Sequence, residues 1–227
     1  MNRALEEYQK LNSIFSKNGF SLYLVGGTVR DYLLNIELTD MDAVTDATPE
    51  EMKVFLKDAC YTFERFGSVS LKVDNIKFDI TTMREEESYQ DSRHPRQIRF
   101  IKDLSTDVKR RDFTVNALYL DKDLKPIDFV GGISDLNNHI LRMVGNPENR
   151  LKEDPLRIIR ALRFSIDYDL TIEEELDKAI RNNIVLIKKL NIEKVKQDIK
   201  KIKSDNKQKI SQIFVDYNIQ HLLDVIE

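Results

Sequence analysis

Asp40 and Asp42 lie two residues apart in the stretch ELTDMDAVT. On a β-strand, this spacing places both carboxylates on one face. Two carboxylates that close repel each other unless a cation bridges them, and hard oxygen ligands suit Mg²⁺. The spacing therefore predicts a Mg²⁺ site with Asp40 and Asp42 as its ligands.

A glycine pair, Gly26-Gly27, precedes these aspartates and follows a short apolar run that predicts a strand. Glycine lets the backbone turn sharply and approach a ligand closely. The amides that begin the next helix suit a phosphate group, and Arg30 could donate two hydrogen bonds to it. A phosphate cradle followed by a metal-binding pair is suited to in-line transfer of a nucleotidyl group. The alternative is an ordinary turn followed by charges at a strand edge.

Asp79 lies within the strand-like stretch IKFDITT. A charge among apolar neighbours is costly unless it is paired. We expect Asp79 to face Asp40 and Asp42 as a third carboxylate, either as a metal ligand or as a general base. A purely structural charge is the alternative.

A second cluster of charged residues, KRRD, precedes the apolar run FTVNALYL. In a pocket that takes a triphosphate, Arg110 or Arg111 would neutralise phosphate charge. Asp112 and Asn116 can accept from and donate to ribose hydroxyls. An arginine pair at the surface, bound to Asp112, is the alternative.

Asp154 and Arg157 fall in the first turn of a predicted helix and share one of its faces. Together they offer hydrogen-bond acceptors and a fork of donors, which complements the Watson–Crick edge of a base. Arg160 and Arg163 continue at the same spacing of three and extend the predicted nucleotide contact. The alternative is structural, with Asp154 capping the helix and Arg157 paired to it.

Three segments in this order resemble motifs of the class II tRNA nucleotidyltransferase and bacterial poly(A) polymerase family. The first is VGGTVRD with the following DMD and TDATPEE; the second is RRDFTVNA at 110–117; the third is EDPLRIIRALRF at 153–164. The resemblance covers roughly residues 1–200. It implies that Gly26, Gly27 and Arg30 bind nucleotide, that Asp40 and Asp42 hold Mg²⁺, and that the RRD motif contacts the triphosphate and ribose.

The resemblance also implies roles for two further segments. In similar proteins the motif that Glu153, Asp154 and Arg157 match acts as an amino-acid template, selecting CTP and then ATP without nucleic acid. The polar segment 85–97 corresponds to a loop, here with Asp91, Arg93 and Pro95, that moves between nucleotide additions.

The implied fold is α+β, with a polymerase-β-like nucleotidyltransferase head over 1–148 and an all-helical neck over 149–227. The head is expected to contain a small mixed sheet with helices packed on it. The larger helical body and tail of full-length members are expected to be absent.

Local patterns predict several elements of this head. They favour an amphipathic helix over 2–18, a helix over 49–58 with a capping box at Thr48, and a loop over 85–97. Strands are predicted over 61–65, 68–73 and 76–82, with Asp74-Asn75 as a hairpin turn. A helix is predicted over 106–112, and Cys60 is predicted to be a small core residue.

Composition excludes some classes and favours others. The 227 residues are 41% hydrophobic and 33% charged with a net charge of −3, and no apolar run reaches the ~18 residues of a membrane span. The single cysteine, Cys60, permits no intramolecular disulfide, which fits a reducing cytoplasmic setting. The three histidines are isolated in the sequence, so neither zinc nor Ser–His chemistry is indicated.

Positive charge is concentrated near the C-terminus. Residues 181–210 contain ten Lys or Arg against three Asp or Glu, a local excess of seven. Such a stripe is typical of phosphate-backbone binding, and Lys196, Lys200 and Lys203 are its predicted RNA contacts. A solvated helix face is the alternative.

The predicted function is template-independent, Mg²⁺-dependent addition of CCA, or part of it, to the tRNA 3′ end from CTP and ATP. The acceptor stem is the expected RNA partner, no membrane is involved, and the oligomeric state is not predicted. Poly(A) polymerase or a CC-only or A-only activity is the closest alternative. A non-catalytic RNA-binding remnant would have lost acidic ligands, and the basic stripe argues against transfer to a small molecule.

Overall fold

The computed structural model describes residues 3–89 and 95–225, and the chain divides into two compact units. The first unit extends from the N-terminus to Ser88 and from Pro95 to Ile133; Ser134 begins the main part of the second. The division falls in a short helix, earlier in the chain than the boundary at 148 that the sequence predicts.

The first unit is built on a six-stranded mixed sheet. Its strands and those of a separate pair are, in chain order, β1 (Leu22–Val25), β2 (Asp40–Thr45), β3 (Ser68–Val73), β4 (Ile76–Thr82), β5 (Arg84–Tyr89), β6 (Pro95–Phe100), β7 (Leu118–Leu120) and β8 (Pro126–Asp128). The order in the sheet is β3-β4-β2-β1-β7-β8, and β5 pairs with β6. β2 and β4 are parallel, whereas the other neighbours in the large sheet are antiparallel.

Four helices belong to this unit and a fifth begins in it. They are α1 (Arg3–Lys17), α2 (Gly27–Leu33), α3 (Pro49–Phe55), α4 (Leu104–Asp107) and α5 (Gly132–Asn137). The predicted amphipathic helix is confirmed in α1, whose Tyr8, Leu11 and Phe15 are buried in the core. The Tyr8 hydroxyl donates to the Leu22 carbonyl at 2.9 Å, which attaches α1 to β1. Sheet and helices together confirm the predicted α+β class.

Two predicted local signals are confirmed. Thr48 and Glu51 form a reciprocal capping box at the start of α3. Asp74 and Asn75 both have positive φ, 47° and 70°, as the tight turn between β3 and β4 requires.

Other local predictions are wrong. Residues 61–65 form a turn that leads into a 3₁₀ turn at Glu64–Phe66, and only Cys60 bridges to Ser70 there. Cys60 is exposed, with its thiol against the Thr62 hydroxyl, and is not a core residue. The predicted helix 106–112 is instead α4 followed by a 3₁₀ turn at 108–110.

The predicted loop over 85–97 is also wrong where the structure describes it, because β5 and β6 pair as strands. The sequence of this segment is polar throughout, so it lacks the alternation of apolar and polar residues that predicts a strand. An ion pair between Arg99 and Glu85 joins the two strands. Asp91 and Arg93 lie outside the described residues.

The second unit is mainly helical. After α5 come β9 (Ile140–Leu141), α6 (Pro147–Glu153), α7 (Leu156–Asp167), β10 (Thr171–Ile172), α8 (Glu174–Asn183), α9 (Ile192–Ile199) and α10 (Lys207–Asp216). β9 and β10 pair in parallel, so the neck is helical except for this short strand. The core of this unit includes Ile158, Leu162, Ile180 and Val195, all at most 1% exposed.

Among the described residues, none of the helices combines the length and the hydropathy that crossing a bilayer would need.

Candidate functional site

Asp40 and Asp42 occupy the start of β2 and face the same side of the sheet. Both are exposed, and Met41 between them is buried on the opposite face. In the parallel pair with β4, Asp42 is in register with Asp79, and Asp40 is in register with Lys77. The predicted third carboxylate therefore lies beside Asp42 on the adjacent strand.

Asp79 is already engaged with a lysine on its own strand. Lys77 Nζ lies 2.7 Å from Asp79 Oδ2, and both side chains are about half exposed. Among the described residues, no group of three or more Asp, Glu, His or Cys side chains is gathered closely enough to hold a metal ion. Asp40 and Asp42 share one strand face with Asp79 on the adjacent strand, and their role as ligands of a cation stays a prediction.

The glycine turn lies directly against Asp42. Gly26 has φ 66° and ψ −130°, a conformation that a side chain would strain. A Cβ on Gly26 would lie 3.9 Å from Asp42 Oδ2 and 4.0 Å from Arg111 NH1. A Cβ on Gly27 would lie 3.7 Å from the same carboxylate oxygen. The absence of side chains here keeps the space beside the Asp42 carboxylate open.

Thr28 joins the glycine turn to the aspartate strand, and sequence reasoning missed it. Its hydroxyl accepts a hydrogen bond from the Asp42 amide at 2.7 Å and lies 3.5 Å from the Asp40 carbonyl oxygen. Because Thr28 is 4% exposed, this contact is shielded from water. A buried hydroxyl directly after a glycine pair is the signal that could have identified it.

The Asp42 carboxyl has a raised pKa. Its partial burial in the surrounding protein raises the pKa most, and the charge of Asp79 raises it further, whereas Arg111, Arg30 and Lys77 lower it. The side chain retains solvent-accessible surface, so the group is crowded but not sealed from water. The rise in pKa comes first from burial and second from repulsion by Asp79, and a bound cation would oppose both effects.

Arg30 lies beneath the turn. It is 4% exposed, its NH1 donates to Asn116 Oδ1 at 2.5 Å, and its Nε and NH2 donate to Asp31 Oδ1 at 2.9 and 2.7 Å. The contact with Asn116 holds α2 against the 3₁₀ turn at Thr114–Asn116, while the contacts with Asp31 fix the Arg30 side chain within α2. A direct contact between Arg30 and phosphate stays a prediction.

Arg110 and Arg111 are organised by a buried aspartate that the sequence analysis did not single out. Asp107 is fully buried; its Oδ1 accepts from Arg110 Nε and its Oδ2 from Arg111 NH2, both at 2.8 Å. The Tyr119 hydroxyl also donates to Oδ2, at 3.0 Å. Burial alone raises the pKa of Asp107, but Arg111 and Arg110 outweigh it and lower the pKa to about 2. The spacing of Asp107 from the arginines, three and four residues on a helix, was the available signal.

Asp112 follows the arginine pair directly in the sequence and makes local contacts. Its carboxylate accepts from the Phe113 amide at 2.7 Å and from Asn116 Nδ2 at 3.4 Å. Asp112 and Asn116 are therefore adjacent, as a shared role at a ribose requires. Their predicted alignment with hydroxyl groups stays a prediction.

In the second unit, the predicted base-reading residues surround the junction of α6 and α7. Arg157 is buried, and its NH1 donates to the Arg150 carbonyl at 2.7 Å and to Glu153 Oε2 at 3.2 Å. Asp154 Oδ1 accepts from the Leu156 amide at 3.1 Å at the start of α7. The structure thus holds Glu153 and Arg157 together, and Pro155 occupies the N-cap position of α7. The roles of Asp154 and Arg157 at a base stay predictions.

Arg160 and Arg163 lie farther along α7, over the ring of Phe164. The guanidinium carbons are 5.3 and 4.6 Å from the ring centroid, within the range of a cation–π contact. Both side chains are half-buried. Their contact with a nucleotide stays a prediction.

The predicted RNA-contacting lysines lie on and after α9. Lys200 and Lys203 are exposed and, within the described ranges 3–89 and 95–225, make no ion pair. Lys196 lies 3.2 Å from Glu193, a surface pair that a phosphate could displace.

Comparisons with known proteins identify the family. Residues 22–142 match the family described as the poly A polymerase head domain. The CCA-adding enzyme of Lactobacillus helveticus is 41% identical over 199 residues, covering 87% of this chain and 50% of the relative.

Two solved structures are similar along almost the whole chain. The crystal structure of the Bacillus stearothermophilus CCA-adding enzyme in complex with CTP has a TM-score of 0.87 and 26% identity, covering 96% of this chain and 53% of that one. The Thermotoga maritima CCA-adding enzyme complexed with tRNA has a TM-score of 0.79 and 25% identity, covering 96% and 52%.

The chain spans about half the length of the relatives it matches. The match to the family nevertheless covers more than half of this chain and contains Asp40, Asp42, Asp79 and the RRD motif. The resemblance predicted from the three motifs is confirmed, and the chain belongs to the family of poly A polymerase head domains.

Proposed function

We propose that this protein adds nucleotides to the 3′ end of an RNA without a template, and that the product is the CCA end of tRNA. The observation that carries the proposal is the position of the Asp42 carboxylate, which lies against the Gly26-Gly27 turn and beside Arg111 and Asp79. This arrangement supports a cation site and a phosphate site side by side in the first unit. The curated relatives and solved neighbours described as CCA-adding enzymes support tRNA as the substrate.

Mg²⁺ fits the residues present. Mg²⁺ is usually held by one or two carboxylates together with substrate phosphates and water, and Asp40 and Asp42 supply that donor set on one strand face. The pKa of Asp42 is raised first by burial and second by the charge of Asp79, and a cation at this position would favour the ionised carboxylate. When bound there, the ion lowers the pKa of the attacking hydroxyl and supports the triphosphate.

The protein's own residues would position the reactants. The open glycine turn admits the triphosphate, and Arg111 offsets phosphate charge near Asp42. Asp112 and Asn116 hold the ribose hydroxyls, and Arg30 keeps Asn116 in place. The RNA 3′-hydroxyl then attacks the α-phosphate of CTP or ATP, forming the phosphodiester bond as pyrophosphate leaves.

Selection between bases belongs to the second unit in this proposal. Asp154 offers acceptors and Arg157 offers donors, which complement the exposed edges of cytosine and adenine. Glu153 orients the Arg157 guanidinium through the contact at 3.2 Å. Arg160 and Arg163 add positive charge on the same helix.

RNA binding in this proposal rests on the lysines of 181–210, with Lys196, Lys200 and Lys203 as contacts to the acceptor stem. The ion pair Lys196–Glu193 is on the surface and is worth little, so phosphate can compete for Lys196. A tRNA substrate places the protein in the cytoplasm.

The test is incubation of the purified protein with Mg²⁺, labelled tRNA lacking CCA, and CTP and ATP, alone and mixed, with products resolved on a sequencing gel. We expect two residues from CTP alone and three from the mixture. Asp40→Ala and Asp42→Ala should abolish incorporation while circular dichroism shows an intact fold. No incorporation by the wild-type protein, or full incorporation by both variants, would refute the proposal.

Poly(A) polymerase is the second candidate, because the matching family is described by that activity. The same gel separates the candidates. A long ladder from ATP alone identifies poly(A) synthesis, extension by C but never A identifies a CC-only enzyme, and extension of tRNA-CC by A alone identifies an A-only enzyme.

A further inference from the structure

Tyr119 carries a buried hydroxyl group that has no role in the function proposed above. It lies on β7, is fully buried, and is in register with Val25, the residue before the glycine turn. The Gly26 amide donates to the carbonyl of the preceding residue, Leu118, at 3.2 Å. The same strand therefore carries Tyr119 and fixes the start of the glycine turn.

The Tyr119 hydroxyl closes a ring of hydrogen bonds with two charged residues. It accepts from Arg111 Nε at 3.0 Å and donates to Asp107 Oδ2 at 3.0 Å, while Arg111 NH2 donates to that oxygen at 2.8 Å. The Arg111 guanidinium also lies over the Tyr119 ring, 5.0 Å from its centroid. One edge of the guanidinium is thus held at two points and its face at a third.

The other edge of the guanidinium points to the proposed site. Arg111 NH1 lies 4.0 Å from the position that a Cβ on Gly26 would occupy, and Asp42 Oδ2 lies 3.9 Å from the same position. An arginine side chain loses on the order of 2 kcal/mol of conformational freedom when it is fixed. Holding Arg111 before the ligand arrives removes that cost from nucleotide binding.

We propose that Tyr119, acting with Asp107, is a positioning residue that directs Arg111 onto the phosphates of the incoming nucleotide. The proposal rests on the proposed function for the role of Arg111 and adds the reason for its orientation. Asp107 is the anion that holds the guanidinium, and Tyr119 fixes its rotation by binding both partners at once.

The central experiment is Tyr119→Phe, which removes the hydroxyl and keeps the ring. Hydrogen bonds to charged groups justify an expected rise of about tenfold in the KM for both CTP and ATP, and in the Kd for CTP measured by calorimetry. The KM for tRNA should stay within about twofold, since that surface is not altered. If the variant has the same KM as the wild type for CTP and the same KM as the wild type for ATP, the proposal is overturned.

Tyr8→Phe is the matched control. Tyr8 is also fully buried in the first unit, and its hydroxyl donates to the Leu22 carbonyl and accepts from Asn12. Its loss should lower the unfolding midpoint in urea as Tyr119→Phe does, without raising the KM for nucleotides. If Tyr8→Phe raises that KM equally, the effect is one of general stability and the positioning role is refuted.

A double-mutant cycle with Arg111→Ala shows whether Tyr119 acts through Arg111. In the Arg111→Ala background, Tyr119→Phe should leave the CTP Kd unchanged; a further tenfold loss there would refute the proposal. If Arg111→Ala alone leaves the CTP Kd unaltered, Arg111 does not bind the nucleotide, and the proposal that Tyr119 positions it for that purpose is refuted as well. Because the Kd is measured without turnover, a failure of the proposed transfer reaction is seen separately on the gel.

Discussion

At the scale of single residues, the site depends on side chains that fix other side chains. Asp42 is a proposed ligand of the cation; the Thr28 hydroxyl binds its backbone amide, and Gly26 and Arg111 surround its carboxylate. Likewise, the arginines of the RRD motif are oriented by Asp107. The residues that are proposed to act directly were visible in the sequence, whereas those that hold them in place became visible only in the structure.

Thr28→Val should lower the rate of nucleotide addition. Valine has nearly the same shape but cannot accept the hydrogen bond from the Asp42 amide, a loss of about 1 kcal/mol or more. We expect kcat for CTP addition to fall about tenfold in the gel assay, and Thr28→Ser to restore it.

Thr45→Val is the matched control for that change. Thr45 is also buried on β2, where its hydroxyl donates to the Ser21 carbonyl at 2.6 Å and accepts from the Ala47 amide at 3.1 Å. It should lower stability and leave kcat unchanged. A similar fall in kcat for both variants would refute the specific role of Thr28.

Asp107 should make the stability of the fold depend on acid pH. Its pKa is about 2 in the folded state, compared with ~3.9 in an unfolded chain, so the folded state favours the charged form. This stabilisation, on the order of 2 kcal/mol, is present above about pH 4 and is lost as the pH falls through 2.

Urea unfolding at pH 7, 4 and 2.5 tests this dependence. The difference in unfolding free energy between wild type and Asp107→Asn should be largest at pH 7 and shrink toward pH 2.5. A difference that does not change with pH would show that the charge of Asp107 is not what stabilises the cluster.

At the scale of elements, short connections place the chemistry on the large sheet. The 3₁₀ turn at Thr114–Asn116 carries Asn116 beside Arg30, and Gly132 at the start of α5 packs on this turn. The Asp128 carboxylate accepts hydrogen bonds from four amides at 130–133 and so fixes the start of α5. The start of α5, where the first unit ends, therefore supports the 3₁₀ turn that carries Asn116.

Gly132→Ala should destabilise the first unit strongly. A Cβ there would lie 2.1 Å from the Thr114 carbonyl oxygen, so backbone would have to move. We expect a loss of about 3 kcal/mol in urea unfolding, at the upper end of overpacking effects. Gly131→Ala is the control: its φ of 80° strains alanine by ~1–2 kcal/mol, but its Cβ would meet no atom within 4 Å. Equal losses would contradict the steric argument.

Asp154→Ala and Arg157→Ala should relax the choice of nucleotide. A good bidentate contact discriminates between bases by ~1–3 kcal/mol, so misincorporation of UTP and GTP should rise roughly tenfold to a hundredfold. Competition assays with mixed nucleotides on the tRNA gel measure this. Asp169→Ala, which changes an exposed aspartate after α7, should keep the wild-type preference. Unchanged selection in both site variants would assign Asp154 and Arg157 to structure alone.

Much of this architecture could be predicted from the sequence because local rules decided it. The period of α1, the capping box at Thr48 and the turn at Asp74-Asn75 are each fixed by neighbouring residues. The pairing of β5 with β6 and the exposure of Cys60 depend on contacts between distant segments, which periodicity does not report. The candidate site divides in the same way. The shared face of Asp40 and Asp42 could be predicted from their spacing, whereas Tyr119 is one tyrosine in an apolar run.

At the scale of the whole molecule, charge is unevenly distributed between segments. The net charge is −3, yet residues 181–210 have an excess of seven positive charges. Lys200 and Lys203 are exposed there, on the segment that follows α9. Binding that uses such lysines releases counterions from the nucleic acid and weakens as salt is added.

Changing Lys196, Lys200 and Lys203 together to Glu should raise the KM for tRNA far more than the KM for CTP. The slope of log affinity against log salt should also become shallower, by ~0.7 for each single-strand phosphate that the variant no longer neutralises. Filter binding at several salt concentrations measures this slope. The matched control is the same change at Lys17, Lys57 and Lys72, three exposed lysines of the first unit. An equal weakening in the control would indicate non-specific charge repulsion.

The ion pair between Lys77 and Asp79 has a consequence for any other group that binds Asp79. The Lys77 ammonium lies 2.7 Å from the Asp79 carboxylate, so a metal ion or a proton from a hydroxyl group must compete with it for that carboxylate. Because the pair is half exposed, it is worth less than ~1 kcal/mol, and the competition weakens an incoming partner by less than about tenfold. Added salt screens the lysine and frees Asp79, while the same salt loosens the RNA. If Asp79 takes part in the reaction, the rate therefore passes through an optimum in ionic strength.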